Sequence, residues 1–277
     1  MKGGQKTKGK SSKAAESKKE LPGWATETFM RFRDHLDQSV RLLTLSVHGI
    51  SVLVELPELD DILAEGKTDE DEEHKRRREQ TREAAALARA EVEQGFPLLH
   101  SQAVVSLWSS LEDCIRTFLA KWLANEPGAK QVDAVGKLKI TVGDYEAQDD
   151  DERDLYLIEL LERDKQSPRR SGVSRFESML EPFGLAGAVD DDVAKTLFEM
   201  HQVRHVLVHR AGLADRRFAA ACPWLGLSAG EPVVIREEEF GRYMRASVRY
   251  IVELIQRIRG HFGMRRFDFE KGTEKRG

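Results

Sequence analysis

One short segment of the chain combines residue types that can do chemistry together. Arg204 is followed directly by His205, then by His209 five residues after the arginine, and then by Gly212. Histidine exchanges protons near neutral pH, and arginine is a permanently charged, bidentate ligand for phosphate. The segment therefore predicts general acid–base chemistry beside a stabilised phosphate.

The pattern around Arg204 indicates a helix that carries this arginine on its apolar side. At about 100° per residue, Arg204 falls among apolar residues that lie within about 60° of one direction. A guanidinium keeps its charge, so a buried one needs a carboxylate, a second subunit or a phosphate as partner. His201, His205 and His209 recur every four residues and form a ridge beside the arginine. The apolar residues are Val193, Leu197, Met200, Leu207 and Val208.

Three other interpretations of this segment stay open. Arg204 can be a structural residue that pairs with a buried carboxylate, and Glu112, beside the apolar stripe of an earlier helix, is the candidate partner. Histidines four residues apart can share a zinc ion, but no Cys or Glu completes a known zinc spacing and the guanidinium would repel the metal. His209 can also cap the helix C-terminus, which is compatible with catalysis. We expect no metal and no cofactor.

The composition is that of a globular protein with a highly charged surface. Of 277 residues, 40% are hydrophobic and 33% charged. The net charge of −4 predicts no overall attraction to nucleic acid, so any such attraction must be local. Cys114 and Cys222 lack a metal-type spacing, and we expect reduced thiols in a cytoplasmic protein. We expect no membrane contact, since no apolar run is judged long enough to span a bilayer.

Apolar residues spaced by three and four predict an all-α fold, a bundle of about five to seven helices. Gly212 is expected to end the motif helix, because glycine accepts the left-handed conformation past a helix end. A small β-hairpin insertion is expected from Leu225–Leu227 and Val233–Ile235, across Ser228 to Glu231. The expected helices run from Trp24 to Pro57, through Ala84 to Ala90, from Pro97 to Ala124, Leu155 to Leu161, Val173 to Leu180, Asp190 to Gly212 and Glu237 to Phe262.

Four regions are predicted along the chain. Residues 1–20 form a basic tail, either solubilising or nucleic-acid-binding. Residues 21–93 form an N-terminal helical extension, residues 94–263 the helical domain with the motif, and residues 264–277 a flexible tail. The extension carries a basic run that is either an RNA contact or a solvated helix face; the domain carries an acidic insert, residues 144–154. The basic run is Lys75, Arg76, Arg77 and Arg78.

The motif resembles the signature of the HEPN superfamily. That signature is an arginine, then a polar residue, then a histidine near the end of a helix, as in Arg204, His205 and His209, with Gly212 and Asp215 following here. The order of elements is also similar: a long apolar helix with Ser109-Ser110-Leu111-Glu112, the motif helix, a loop with Gly230-Glu231-Pro232, and a terminal helix. The resemblance covers roughly residues 94–263.

The resemblance implies a homodimeric helical bundle that cuts RNA without a metal, as in toxin–antitoxin, abortive-infection and other anti-phage systems. It implies that Arg204 and His209 are the catalytic pair and that His205 supports them. A dimer would have the motif helices near its axis, and an antitoxin or defence-system protein would be a partner. The acidic insert and the extension lie outside the resemblance and could cover the site or bind a partner. The alternative is a catalytically inactive HEPN-like module that binds protein or nucleic acid.

Further residues are candidates for supporting roles in this site. Glu112, His201 and Asp215 are candidate supporting residues, and Arg210 is a candidate RNA contact together with the basic run. Asp215 follows the motif helix closely, and His201 belongs to its histidine ridge. The sequence contains no base-reading motif.

Overall fold

The computed structural model describes residues 20–64, 72–165, 172–268 and 273–274. The all-α prediction is confirmed: the described residues contain ten α-helices and, as extended structure, one antiparallel pair of two-residue strands, β1 (Phe267–Asp268) and β2 (Thr273–Glu274). The helices are α1 Gly23–Ala64, α2 Glu72–Gln94, α3 Pro97–Asn125, α4 Asp133–Gly136, α5 Val142–Glu146, α6 Asp150–Lys165, α7 Val173–Leu180, α8 Asp191–His209, α9 Arg216–Ala221 and α10 Glu237–His261.

The helix number exceeds the predicted five to seven. Three of the additional helices, α4, α5 and α9, have four to six residues each. Segments of that length contain too few apolar positions to show a helical period. Short 3₁₀ turns at Ala129–Gln131, Glu181–Phe183 and Pro223–Leu225 complete the connections.

α3 is the central helix of the fold. It packs against α1, α6, α8 and α10, and its Trp108, Leu111, Ile115 and Phe118 are completely buried. Pro97 is its first residue, as predicted, because proline lacks the N–H that the first turn of a helix leaves unbonded. The buried cluster around α3 joins side chains of α1, α6, α7, α8 and α10.

α1 is longer than predicted and continues past Pro57 to Ala64. Proline removes one hydrogen bond from a helix interior, but α2 packs alongside this part of α1. The Asp61 carboxylate on α1 pairs with Arg78 and, at 3.2 Å, with Arg82 on α2. The two helices thus form an antiparallel hairpin, in which packing against α2 and these solvent-exposed ion pairs join the part of α1 beyond the proline to α2.

The composition of α1 corrects the expectation that no apolar run is long enough to span a bilayer. The helix is long and apolar enough, by length and composition, to cross a membrane, and its 18-residue apolar stretch has no buried residue. The predicted stripe at Phe29, Phe32 and Leu36 is buried, but these residues lie in the first half of the helix. In the second half, several large apolar side chains are exposed to solvent.

Two further predictions were wrong in detail. The short helix Leu155–Leu161 is the central part of α6, which begins in the acidic run at Asp150, where carboxylates near a helix N-terminus are favourable. The predicted hairpin does not form in residues 225–235, which contain no strand. Pro232 instead makes a single bridge with Leu213, because this segment pairs with the chain that follows α8 rather than with itself.

A close backbone approach positions α7 against α8. Gly172 precedes α7 with φ +61, and a Cβ there would lie 2.6 Å from the Cα of Phe198 on α8. Only glycine permits both this conformation and this distance. The start of α7, and with it the position of Arg175 one turn later, therefore depends on Gly172.

We predict that Gly172→Ala lowers the free energy of unfolding by about 2 kcal/mol or more, through the left-handed strain and the overlap with Phe198. The matched control is Gly143→Ala in α5, where no heavy atom lies within 4 Å of the added Cβ. That variant should be neutral or gain up to about 1 kcal/mol. Urea denaturation measures both, and equal stability of the two variants would contradict the prediction.

Candidate functional site

α8 carries the motif and has well-defined ends. The Asp190 carboxylate caps its N-terminus and accepts hydrogen bonds from the backbone N–H of Asp192 and Val193 at 3.1 and 3.2 Å. The helix ends at His209, and Ala211 and Gly212 follow with φ of +51 and +77. Gly212 is thus in the left-handed conformation just past the helix, as its position predicted.

The chain after α8 is held by a distant loop. The N–H of Ala214 donates to the carbonyl of Glu231, and the N–H of Val233 donates to the carbonyl of Gly212, both at 2.8 Å. The N–H of Gly230 donates to the carbonyl of Ala214, also at 2.8 Å. The loop Gly230–Pro232, one of the elements in the predicted order, therefore lies against the end of the motif helix.

Asp215 has a structural role at this end of the site. Its carboxylate accepts a hydrogen bond from the backbone N–H of Phe218 at 2.8 Å and caps α9. That bond is the main reason why the pKa of Asp215 is lowered. The Nε of Arg210 lies 3.5 Å from the carboxylate. Arg210 and Asp215 are thus paired with each other, and Arg210 is more than half exposed.

Arg204 has no anionic partner among the described residues. Its side chain is half-buried, and its Nε is buried without a hydrogen-bond partner. Glu112, the predicted candidate partner, instead accepts from Nη1 of Arg175 at 2.8 Å. The expected pairing of Glu112 with Arg204 is therefore wrong, because α7 brings another arginine to that carboxylate.

A buried ion-pair network lies beside the motif helix. The carboxylate of Glu162 on α6 is buried and accepts from Nε of Arg116 at 2.8 Å and from Arg175. Arg175 thereby links Glu162 to Glu112 across α3, α6 and α7. Sequence reasoning missed this network; the four-residue spacing of Glu112 and Arg116 on α3 is a weak signal for it, but Glu162 and Arg175 come from separate helices.

His201 lies between the network and the motif. Its ring centroid is 5.0 Å from the ring of the fully buried Trp108. Burial, together with the charges of Arg175 and Arg204, lowers the pKa of His201 to about 4. His201 is therefore a neutral imidazole near pH 7, and it is not suited to carry a proton to a substrate.

The other two histidines are exposed and adjacent. The ring centroids of His205 and His209 are 4.8 Å apart, and both side chains are open to solvent. Partial burial and the charge of His209 lower the pKa of His205, and Asp215 opposes this shift. The structure thus brings His205 and His209 together at the end of α8, whereas the charge of Arg204 acts on His201. In the described part of the chain, no group of three or more His, Cys, Asp or Glu side chains is placed to hold a metal ion.

The basic run lies on a different helix, α2, and its members differ in their surroundings. Arg78 is paired with Asp61 in the α1–α2 hairpin, and Lys75 pairs with Glu72 at 2.8 Å. Arg76 and Arg77 are exposed. Arg78 therefore contributes to the hairpin itself, and the two exposed arginines remain the candidates for contact with nucleic acid.

No family model matches the chain, and no curated protein or solved structure matches it either. The resemblance to HEPN proteins is therefore an expectation from the motif residues and the order of the predicted elements alone.

We expect substitutions of Arg175 and Arg204 to differ in their effect on the free energy of unfolding. Arg175→Met leaves the buried Glu162 with one fewer cation and Glu112 unpaired, so we expect the free energy of unfolding to fall by about 3 kcal/mol or more. Arg204→Met removes a cation that has no anionic partner among the described residues. The free energy of unfolding should therefore change by less than about 1 kcal/mol, or increase. Chemical denaturation measures both. Equal losses would mean that Arg204 is also a structural ion-pair residue.

Because the pKa of His201 is lowered in the folded chain, we predict that the protein loses stability in weak acid. The pKa of this histidine is lowered from 6.5 to about 4 in the folded chain, so the unfolded chain binds the proton more tightly. The stabilisation from His201 is present above pH 6.5 and is lost as pH falls from 6.5 to about 4, by up to about 3 kcal/mol. Comparing wild type with His201→Phe at pH 7.5 and 4.5 isolates this effect. An identical pH dependence in the two proteins would refute it.

Proposed function

We propose that this protein is a metal-independent endoribonuclease of the HEPN type. The observation that supports it most is the half-buried Arg204, which has no anionic partner among the described residues and is followed on α8 by two adjacent, exposed imidazoles. A guanidinium removed from water requires a negative partner. A phosphodiester provides that partner in bidentate form and brings its scissile bond next to groups that can transfer protons.

The proposed reaction is an internal transesterification of RNA. The 2′-hydroxyl attacks the adjacent phosphorus while one imidazole takes its proton, and the P–O5′ bond breaks while the second imidazole gives a proton to the leaving 5′-oxygen. Arg204 stabilises the charge that develops on the phosphoryl oxygens. The products are a 2′,3′-cyclic phosphate and a 5′-hydroxyl. DNA lacks the 2′-hydroxyl and is not a substrate for this chemistry.

The surroundings of the two imidazoles suggest a division of roles. The lowered pKa of His205 favours the neutral ring, which accepts a proton. His209, the last residue of α8, is then assigned the role of proton donor to the leaving oxygen. Arg210 and the exposed arginines of the basic run would contact RNA phosphates outside the cleavage point.

A second copy would complete the site. Val208 and Leu213, next to the histidines, are each 46% exposed, and a two-fold axis close to them would place two Arg204/His209 sets in one cleft and exclude water from it. Unregulated cleavage of RNA would harm the cell, so the proposal includes an antitoxin or defence-system partner in the cytoplasm.

The test is RNA cleavage by purified protein in excess chelator. We expect His209→Ala to reduce the rate by at least about 100-fold and Arg204→Ala by about 100- to 1,000-fold, with unchanged helical circular dichroism. The matched control is His261→Ala, an exposed histidine at the end of α10, which should cut at the wild-type rate. Mass spectrometry of the 3′ ends should identify cyclic phosphate.

Three results would contradict the proposal: no cleavage of single-stranded or looped RNAs by wild type, cleavage only with added metal, or equal rates for wild type and His209→Ala. The first result, combined with RNA or protein binding that depends on Arg204, would identify the chain as a catalytically inactive binding module.

A further inference from the structure

α1 has a second apolar stripe that its own chain does not cover. The first stripe faces the core and α2, whereas the second is exposed over the second half of the helix. Its side chains are 51–70% exposed at Leu42, Leu45, Val52, Leu59 and Leu63. Exposed leucines occur singly on many proteins, but a row of them along one helix marks an interaction surface.

The spacing of this stripe is a heptad repeat. Steps of three and four residues alternate without interruption for three heptads, and Pro57 lies off the stripe. The members, here called the α1 seam, are Leu42, Leu45, Gly49, Val52, Leu56, Leu59 and Leu63.

A strict heptad is specific to helix pairing. A single straight helix has 3.6 residues per turn, so an apolar stripe that repeats every 3.5 residues follows a partner helix rather than a flat surface. In α1 that partner is not α2, because all seam residues except the partly buried Leu56 stay exposed while α2 is packed against the helix. The seam therefore fits one further helix of matching pattern.

We propose that the α1 seam pairs antiparallel with the α1 seam of a second copy of this chain. In the register that places Leu42 opposite Leu59 of the other copy, Leu45 lies opposite Leu56 and Gly49 opposite Val52, and Leu63 extends beyond the paired region. Gly49, the smallest member, then faces a larger side chain. With the two α2 helices outside, the pair forms a four-helix arrangement.

The charges beside the seam favour this orientation. In the antiparallel pair, His48 of one copy lies beside Glu55 of the other, and neither has a hydrogen bond or ion pair to a described residue of its own chain. In a parallel pair, Glu55 would lie beside Asp60 of the other copy, and Gly49 would face Gly49. Like charges disfavour that arrangement, and the two glycines would leave a void.

The same charges argue against a lipid surface as the occupant. Helices that bind anionic membranes carry lysine and arginine beside their apolar face, whereas α1 carries Glu55, Glu58, Asp60 and Asp61 along its second half. This inference does not depend on the proposed nuclease activity, since no seam residue belongs to the candidate site.

The first test measures molecular mass by light scattering at micromolar concentration. A single chain has a mass of 31.4 kDa. We expect Leu45→Glu to halve the mass of the wild-type assembly, with self-association weakened by about 100-fold, since the substitution occurs twice in a symmetric pair. The matched control is Leu98→Glu on α3, which makes the same change at a leucine 65% exposed against 63% for Leu45, and it should keep the wild-type mass.

Two outcomes of this test overturn the proposal. One is a wild-type chain that is monomeric, including one that floats with vesicles of phosphatidylglycerol and phosphatidylcholine. The other is a Leu45→Glu chain that keeps the wild-type mass, which would place self-association at another surface.

The second test determines the orientation by disulfide formation. Leu42→Cys and Leu59→Cys chains should form a covalent dimer when mixed, and neither should do so alone, since residue 42 lies about 25 Å from residue 42 of the other copy. Cys114 and Cys222 do not compete, because both are buried and burial raises the pKa of each thiol. Covalent dimers in each single variant, or in no sample, would overturn the antiparallel pairing.

Discussion

The buried carboxylate of Glu162 constrains the arrangement of the helices around the motif. Only 7% of its side chain is exposed, and it holds Arg116 of α3 and Arg175 of α7. A buried charge is tolerated only while its partners remain in place. Three helices are thus fixed relative to one another, and the close contact of Gly172 with Phe198 extends that constraint to α8.

This ion-pair network also determines which charged groups near the motif helix are left without a partner in the described part of the chain. Arg175 pairs with Glu112 and Glu162, so both carboxylates are engaged within the fold. Arg204 has no anionic partner among the described residues, and His201, which is partly buried and close to two guanidinium groups, is held neutral. One arginine therefore stabilises the scaffold while the other remains free to bind, and this distinction is the physical basis of the functional proposal.

α1 belongs both to the motif-bearing bundle and to an exposed apolar surface, the α1 seam. Its first half contributes Phe29 and Phe32 to the same buried cluster as α3 and α10, and its second half forms the hairpin with α2. Because the helix is continuous through Pro57, any partner that pairs with the exposed seam is held rigidly relative to the bundle.

The stability of this hairpin comes from contacts that are distant in sequence. Asp61 reaches Arg78 and Arg82 across the connection between α1 and α2. The sequence indicates the basic run as a candidate binding patch, but its member Arg78 is paired with Asp61 within the chain. This pairing leaves Arg76 and Arg77 as the members whose charge faces solvent.

Features that depend on near neighbours along the chain were determined by the sequence alone. The apolar stripes of α3 and α10, the end of α8 before Gly212 and the spacing of Arg204, His205 and His209 follow from helical periodicity and glycine conformation. The seam on α1 is also present in the sequence as a heptad, but it was not distinguished from the core-facing stripe, because exposure cannot be deduced from spacing.

Only the tertiary structure decided which groups meet. Glu112 pairs with Arg175 rather than Arg204, residues 225–235 pair with the chain after α8 rather than forming a hairpin, and α1 continues past Pro57 because α2 supports it. Each of these depends on segments far apart in sequence, whose approach is governed by the packing of whole helices. Local periodicity places a side chain on a face of its helix, whereas the partner on that face is chosen by the fold.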